Sequence, residues 1–164
     1  MFGIGESKPV AGHAEDIVSC AASAAYDYVG LRFFENYRKW CPQVIELEEL
    51  TPPPIGSGSK GRQVTLDRGI ESESTFEIAE FAPTRCFAIA GISEPFRSSY
   101  EFFEEGDGKT RLVFSFELKE LDLVMRPFQK LIRTALQEGA IQTVENIKQL
   151  LEGAAVDASQ GAGK

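Results

Sequence analysis

A chain of 164 residues with 43% hydrophobic and 26% charged side chains is long enough to bury one substantial core. Its formal charge of −8 and its lack of a dense Lys/Arg cluster argue against binding to nucleic acid, and against docking on an anionic membrane by charge alone. Because no apolar run is long enough to span a bilayer and no basic-then-apolar leader opens the chain, we expect a cytoplasmic protein without stable membrane insertion.

The first half of the chain predicts a strand, two short helices and the start of a sheet. Residues 1–13 contain three glycines and a proline, which indicates a flexible lead-in. Residues 14–22 alternate in polarity and predict a first strand. Helical spacing follows, divided at Gly30 and ended before Pro42. From residue 44 the apolar period becomes two, which predicts six strands at residues 44–50, 61–68, 74–81, 85–92, 96–104 and 110–118.

A long amphipathic helix closes the chain at residues 126–152. Pro127 suits its first turn, and Gly153 suits the position just past its end. Residues 153–164 are small and polar without periodicity and are predicted to form a disordered tail, so residues 14–152 form a single domain. The apolar face of the helix consists of Phe128, Ile132, Leu136, Ala140, Val144, Ile147 and Leu151.

This order of elements predicts an α+β fold. Six strands joined by tight turns, including Gly-Asp-Gly at 106–108, form an antiparallel meander that must curve to cover its apolar face. One long helix can fill the concave side of about seven strands in the order β-α-α-β6-α. Curved sheets of this size often hold a ligand between helix and sheet, whereas the alternative is a filled core.

Five segments and the closing helix occur here in an informative order and spacing. The segments are EDIVSCAASAAYDYV at 15–29, FENYRKWCP at 34–42, GSGSKGR at 56–62, EIAEFAPTR at 77–85 and GDGKTR at 106–111. Together they resemble the START/Bet v 1-like (SRPBCC) superfamily, and in particular its polyketide cyclase/dehydrase-like branch. The resemblance covers residues 14–152 and implies a helix-grip fold, in which a curved sheet wraps around the C-terminal helix. It further implies binding of a hydrophobic small molecule, with catalysis in only some members.

Alternation and helical spacing select the residues expected to face the ligand. Among them Tyr100 is the main polar candidate, because a buried phenol needs a hydrogen-bond partner that a ligand carbonyl, a backbone carbonyl or water can supply. The predicted ligand-binding set is Tyr100, Arg62, Phe76, Ile78, Phe87, Ile89, Phe102, Phe114, Phe116, Phe128, Ile132 and Leu136.

Four polar or aromatic residues could either face the cavity or have a role at the surface or in packing. Arg62 lies near the glycine-rich turn, where it could orient a carboxylate or enolate, or form a surface salt bridge. Alternation lets at most one of Asp67 and Arg68 point inward, and an inward Arg68 would need a partner such as Asp16. Trp40 could gate the cavity or pack the short helices onto the sheet.

The remaining chemistry-bearing residues indicate little catalysis. His13 is the only histidine and falls in the predicted lead-in, which disfavours zinc and Ser-His or Cys-His arrangements. The three cysteines show no metal-binding spacing and are expected to be buried free thiols. We therefore expect no metal and no tightly bound cofactor, in a monomer or homodimer.

Three functions follow in order of preference. The first hypothesis is a module that binds a lipid, quinone or polyketide-like molecule. The second is a cyclase, aromatase or dehydratase, and the third is a protein-interaction adaptor or toxin-like protein.

Overall fold

The computed structural model describes residues 9–162 as seven strands and a set of helices. The predicted α+β, helix-grip architecture is confirmed. The strands are β1 (Val10–Val18), β2 (Val44–Glu49), β3 (Lys60–Asp67), β4 (Ile70–Ala82), β5 (Cys86–Gly91), β6 (Phe96–Gly106) and β7 (Lys109–Leu118). The helical segments are α1 (Ala22–Tyr26), a π-helical turn (Asp27–Leu31), α2 (Phe33–Trp40), a 3-10 turn (Leu123–Phe128) and α3 (Gln129–Ala162).

The sheet is fully antiparallel, with the strand order β1-β7-β6-β5-β4-β3-β2. The meander therefore runs from β2 to β7, and β1 joins it beside the last strand. Asp107 and Gly108 have φ angles of 55° and 70°, as a tight two-residue hairpin requires. Arg68 and Gly69, at 53° and 80°, make a second turn of this kind, so β4 begins earlier than its polarity pattern predicts.

The first strand begins at Val10 rather than at residue 14, so the predicted lead-in is wrong for residues 10–13, while residues 1–8 lie outside the described residues. This strand is an edge of the sheet, and α3 packs beside it. The His13 N–H donates to Gln137 Oε1 at 3.0 Å, and Gln137 Nε2 donates to the His13 carbonyl at 2.7 Å. At Gly12 a Cβ would collide with the backbone carbonyl of Leu136, so the glycine permits this close approach.

The long helix also differs from its predicted bounds. Residues 123–128 form a 3-10 turn, and α3 begins only at Gln129. Its backbone then continues past Gly153 to Ala162, over residues predicted to form a disordered tail; residues 163–164 lie outside the described residues. The extension is consistent with the several alanines of this stretch, because alanine favours helix while a single glycine costs only about 1 kcal/mol.

The core fills one part of the concave sheet face with aromatic rings from the short helices. The Phe33 ring lies 6.0 Å from Phe76 and 5.0 Å from Phe87, and the Tyr26 ring lies 5.4 Å from Phe102. All five side chains are buried. Along the other part of the face, α3 contributes Ala140, Val144, Ile147 and Leu151 to the core, as their helical spacing predicts.

Candidate functional site

A cavity of about 560 Å³ lies between the sheet, the end of α2 and the middle of α3. This volume lies within the range of small-molecule sites. Its walls come from five parts of the fold, which the sequence separates by up to a hundred residues. The lining residues are Tyr37, Trp40, Cys41, Gln43, Thr65, Asp67, Arg68, Ser98, Tyr100, Phe114, Phe116, Ala135, Leu136, Glu138, Gly139, Ala140 and Thr143.

Tyr100 on β6 provides the most distinctive polar group of the cavity. Its hydroxyl accepts a hydrogen bond from Trp40 Nε1 at 3.2 Å, and both side chains are buried. The hydroxyl hydrogen itself finds no acceptor among the described residues. Burial raises the pKa of the Tyr100 phenol, so the group stays neutral and keeps this hydrogen. Tyr100 can therefore donate to an acceptor atom inside the cavity.

The second tyrosine of the cavity, Tyr37, is used differently. Its hydroxyl donates to Gln63 Oε1 at 3.1 Å, and Gln63 Nε2 donates to Ser74 Oγ at 3.2 Å. Burial raises the pKa of Tyr37 well above its usual value. Since its hydrogen is already engaged, Tyr37 fixes the end of α2 against β3 and β4 and presents mainly its ring to the cavity.

Cys41 follows α2 and places a thiol on the cavity wall. Burial raises the pKa of this thiol to about 11, so it is protonated and weakly nucleophilic at neutral pH. Its Sγ lies 3.5 Å from Gln43 Oε1. All three cysteines are free, and each is half-buried rather than fully buried as predicted.

The rim of the cavity carries charge. Asp67, Arg68 and Glu138 are exposed and mark its opening, together with the helix position Gly139. Both Asp67 and Arg68 are exposed, which agrees with the expectation that at most one of them points inward. The reason differs from alternation, because Arg68 belongs to the left-handed turn rather than to the strand. Asp16, the suggested partner of an inward Arg68, instead pairs through Oδ2 with Lys148 Nζ at 3.2 Å.

The structure places four of the twelve predicted ligand-binding residues on the cavity wall. They are Tyr100, Phe114 and Phe116 on neighbouring strands and Leu136 on α3. Five others point to the same concave face but lie in the packed core, where α1 and α2 cover the sheet. These are Phe76, Ile78, Phe87, Ile89 and Phe102.

Three predicted residues lie elsewhere. Arg62 points to the opposite sheet face from its buried neighbours. It donates to Glu73 Oε1 at 2.8 Å and lies 3.8 Å from Glu48 Oε2, so it forms a surface salt bridge. Phe128 is exposed because the tighter 3-10 turn shifts it off the apolar stripe of α3. Ile132 is half-buried but does not line the cavity.

The end of α2 contributes cavity residues that strand alternation and the spacing of the long helix do not select. Tyr37 and Cys41 are among them, and the sequence indicates for Trp40 only a role as a gate or a packing residue. A helical signal was present, because Phe33, Tyr37 and Trp40 recur at steps of four and three and are buried together. Trp40 combines the packing role with the hydrogen bond to Tyr100.

Two further classes of site find no support in the described part of the chain. Residues 9–162 contain no helix of the length and apolar character needed to cross a bilayer. Among the side chains that the structure describes, residues 9–153, no three His, Cys, Asp or Glu are grouped as a metal site would need.

Solved structures with this fold come from distant proteins. Protein TTHA0849 from Thermus thermophilus is 17% identical, with a TM-score of 0.71 over 88% of this chain and 98% of that one. The Zhui aromatase/cyclase from Streptomyces sp. R1128 is 11% identical, with a TM-score of 0.71 over 88% and 94%. The major latex-like protein 151 from Panax ginseng is 10% identical, with a TM-score of 0.64 over 87% and 97%. At such identities the likeness shows the fold alone.

Sequence comparison gives the family. No curated protein matches the chain significantly. The family model described as polyketide cyclase / dehydrase and lipid transport matches residues 12–152, most of the chain. Together with the fold, this match confirms the resemblance to the START/Bet v 1-like superfamily. The chain therefore belongs to the polyketide cyclase / dehydrase and lipid transport family.

Proposed function

We propose that this protein binds a hydrophobic or aromatic small molecule, such as a lipid, quinone or polyketide-like compound, in the cavity between the sheet and α3. The family and fold are those of proteins that bind hydrophobic ligands. The observation that carries the proposal is the cavity itself, which has aromatic walls and the unused Tyr100 hydroxyl hydrogen at its base.

The chemistry of the walls selects the kind of ligand. Phe114, Phe116 and the rings of Trp40 and Tyr37 offer apolar area, which favours binding by about 25 cal/mol per Å² removed from water. A ligand carbonyl or ether oxygen could accept the hydrogen bond from Tyr100, and this bond would orient the ligand. The ligand is thus an apolar or aromatic molecule that carries at least one inward-facing acceptor atom.

Two variants test this binding role. Leu136→Trp would fill the cavity from α3 and should abolish binding with little loss of folding stability, since Leu136 borders open space. Tyr100→Phe keeps the ring and should weaken binding about tenfold through the lost hydrogen bond, which is about 1.4 kcal/mol. Native mass spectrometry of the protein purified from its own host identifies co-purified ligands. Thermal shifts measure how strongly added quinones, fatty acids and aromatic polyketides stabilise the protein.

Ile132→Trp serves as the matched control for Leu136→Trp, because Ile132 lies one helical turn away and does not line the cavity. Equal loss of binding in both variants would show that the ligand lies elsewhere. No stabilisation by any apolar class, with no co-purified ligand, would overturn the binding role.

A proton-transferring enzyme of the cyclase, aromatase or dehydratase type is the second candidate. The observation that favours it is the presence of Tyr100, a neutral acid, and Asp67, a carboxylate, on one cavity. Such a pair could protonate a carbonyl and remove a proton from carbon. Incubation with a poly-β-ketone thioester mimic tests this role. Product that forms only with the protein, and in smaller amount with Asp67→Asn, supports catalysis. Product profiles that the protein does not change exclude catalysis for that substrate.

The cavity disfavours the third hypothesis, a protein-interaction adaptor, because an adaptor is expected to have a filled interior.

A further inference from the structure

Outside the cavity, five exposed large apolar side chains lie within nine residues of one another. In the 3-10 turn, Leu123 is 71% exposed, Val124 79%, Met125 42% and Phe128 51%. Leu131, in the first turn of α3, is 67% exposed. Elsewhere in the described chain, no window of nine residues contains more than two such side chains. A concentration of this kind usually marks a surface that binds something.

The same stretch is basic within an acidic protein. Residues 119–133, here called the 119–133 surface, contain four basic and two acidic side chains, a formal charge of +2, whereas the whole chain has −8. Of the basic ones, Lys119, Lys130 and Arg133 are exposed and form no ion pair within the described residues. The charged residues are Lys119, Arg126, Lys130, Arg133, Glu120 and Asp122.

We propose that the 119–133 surface docks reversibly on an anionic lipid bilayer. Exposed apolar side chains flanked by Lys and Arg match the boundary of such a bilayer, where the apolar groups enter the interface and the cations meet lipid phosphates. Charges farther than about 8 Å from the surface are largely screened at physiological salt, so only nearby carboxylates, such as Glu138 on α3, oppose docking. The net charge of −8, which disfavours docking of the chain as a whole, therefore does not disfavour docking of this surface.

Charge also decides between a bilayer and a second copy of this chain. A symmetric dimer would bring the same surface of both copies together and would face one +2 segment with another. Like charges across an interface oppose association. An anionic surface instead complements the segment, so we assign the bilayer as its occupant.

The 119–133 surface is continuous with the cavity rim along α3. Leu131, Ala135 and Glu138 follow at steps of four and three and so share one helical stripe, and the last two line the cavity. A docked bilayer would therefore lie beside the cavity opening. Exchange of a ligand between bilayer and cavity would rest on the proposed function, whereas docking itself does not require a ligand.

Flotation of the full chain with lipid vesicles tests the docking. We expect the protein to bind vesicles of equal parts phosphatidylcholine and phosphatidylserine, to bind pure phosphatidylcholine vesicles less, and to lose binding as salt rises. Val124→Glu with Leu131→Glu should lower the bound fraction about tenfold, through lost apolar contact and added negative charge. Ile92→Glu with Ile141→Glu is the matched control, because it adds the same two charges at exposed apolar residues outside the 119–133 surface.

The outcomes separate the possibilities. Binding that survives in this control but not in Val124→Glu with Leu131→Glu, the double variant of the surface, supports the proposal, provided that circular dichroism shows both folded. Equal loss in both, or no preference for phosphatidylserine, overturns it. A concentration-dependent dimer that the double variant abolishes, seen by sedimentation without vesicle binding, would assign the surface to a second copy and also overturn it. Ligand thermal shifts of the double variant in solution report the proposed function separately.

Discussion

The concave face of the sheet has a packed half and an open half, and both are built from large side chains of the strands. Phe76 and Phe87 in the packed half are no larger than Phe114 and Tyr100 in the open half. The difference comes from what lies above them. Aromatic rings of α1 and α2 fill the packed half, whereas α3 presents small residues such as Gly139 to the open half. The cavity is therefore a property of the covering helices.

The largest expected effect comes from truncation in the packed half. Phe87→Ala removes a fully buried ring that contacts Phe33 and should lower the free energy of unfolding by about 3–5 kcal/mol. Phe116→Ala is the counterpart in the open half, where the partly exposed ring should cost less than half as much while altering ligand affinity. Urea unfolding measures both, and equal losses would contradict the division into two halves.

A smaller effect should distinguish the tight and loose contacts of α3. Gly12→Ala introduces a Cβ that collides with the Leu136 carbonyl and should cost about 1–3 kcal/mol. Gly139→Ala meets open space and should instead stabilise the helix by about 0.5–1 kcal/mol. Thermal unfolding of the two variants compares them, and a loss of stability in Gly139→Ala would mean that α3 also packs closely over the cavity.

The smallest effect on stability is expected at Cys41, where the reactivity of the thiol reports the fold without changing it. In a chain with Cys20→Ser and Cys86→Ser, Cys41 is the remaining thiol, and burial raises its pKa from the ordinary value of 9.0 to about 11. At pH 8 the folded protein should therefore react with iodoacetamide about one hundredfold more slowly than the unfolded chain, and the rate should rise as the pH approaches 11. A cavity ligand should slow it further. Equal rates in folded protein and urea-unfolded chain would show that Cys41 is not held in the wall.

Local patterns predicted the sheet well and the cavity only in part. Strand alternation identified the inward face, because each side chain's direction follows from its neighbours along the strand. The position of α1 and α2 over Phe76 and Phe87 depends on contacts between distant segments, so alternation could not separate packed rings from cavity rings. Phe128 was misplaced for a local reason, since a 3-10 turn changes the helical phase and its onset has no strong sequence signal.

The paired hydrogen bonds between Gln137 and His13 have a consequence for aggregation. Since β1 has a neighbour only on its β7 side, its outer N–H and C=O groups could receive a strand from another molecule. The Gln137 amide satisfies both groups of His13 much as such a strand would. With Gly12 held against the Leu136 backbone, this edge is already occupied. The fold is thereby protected from growing into a larger sheet at β1.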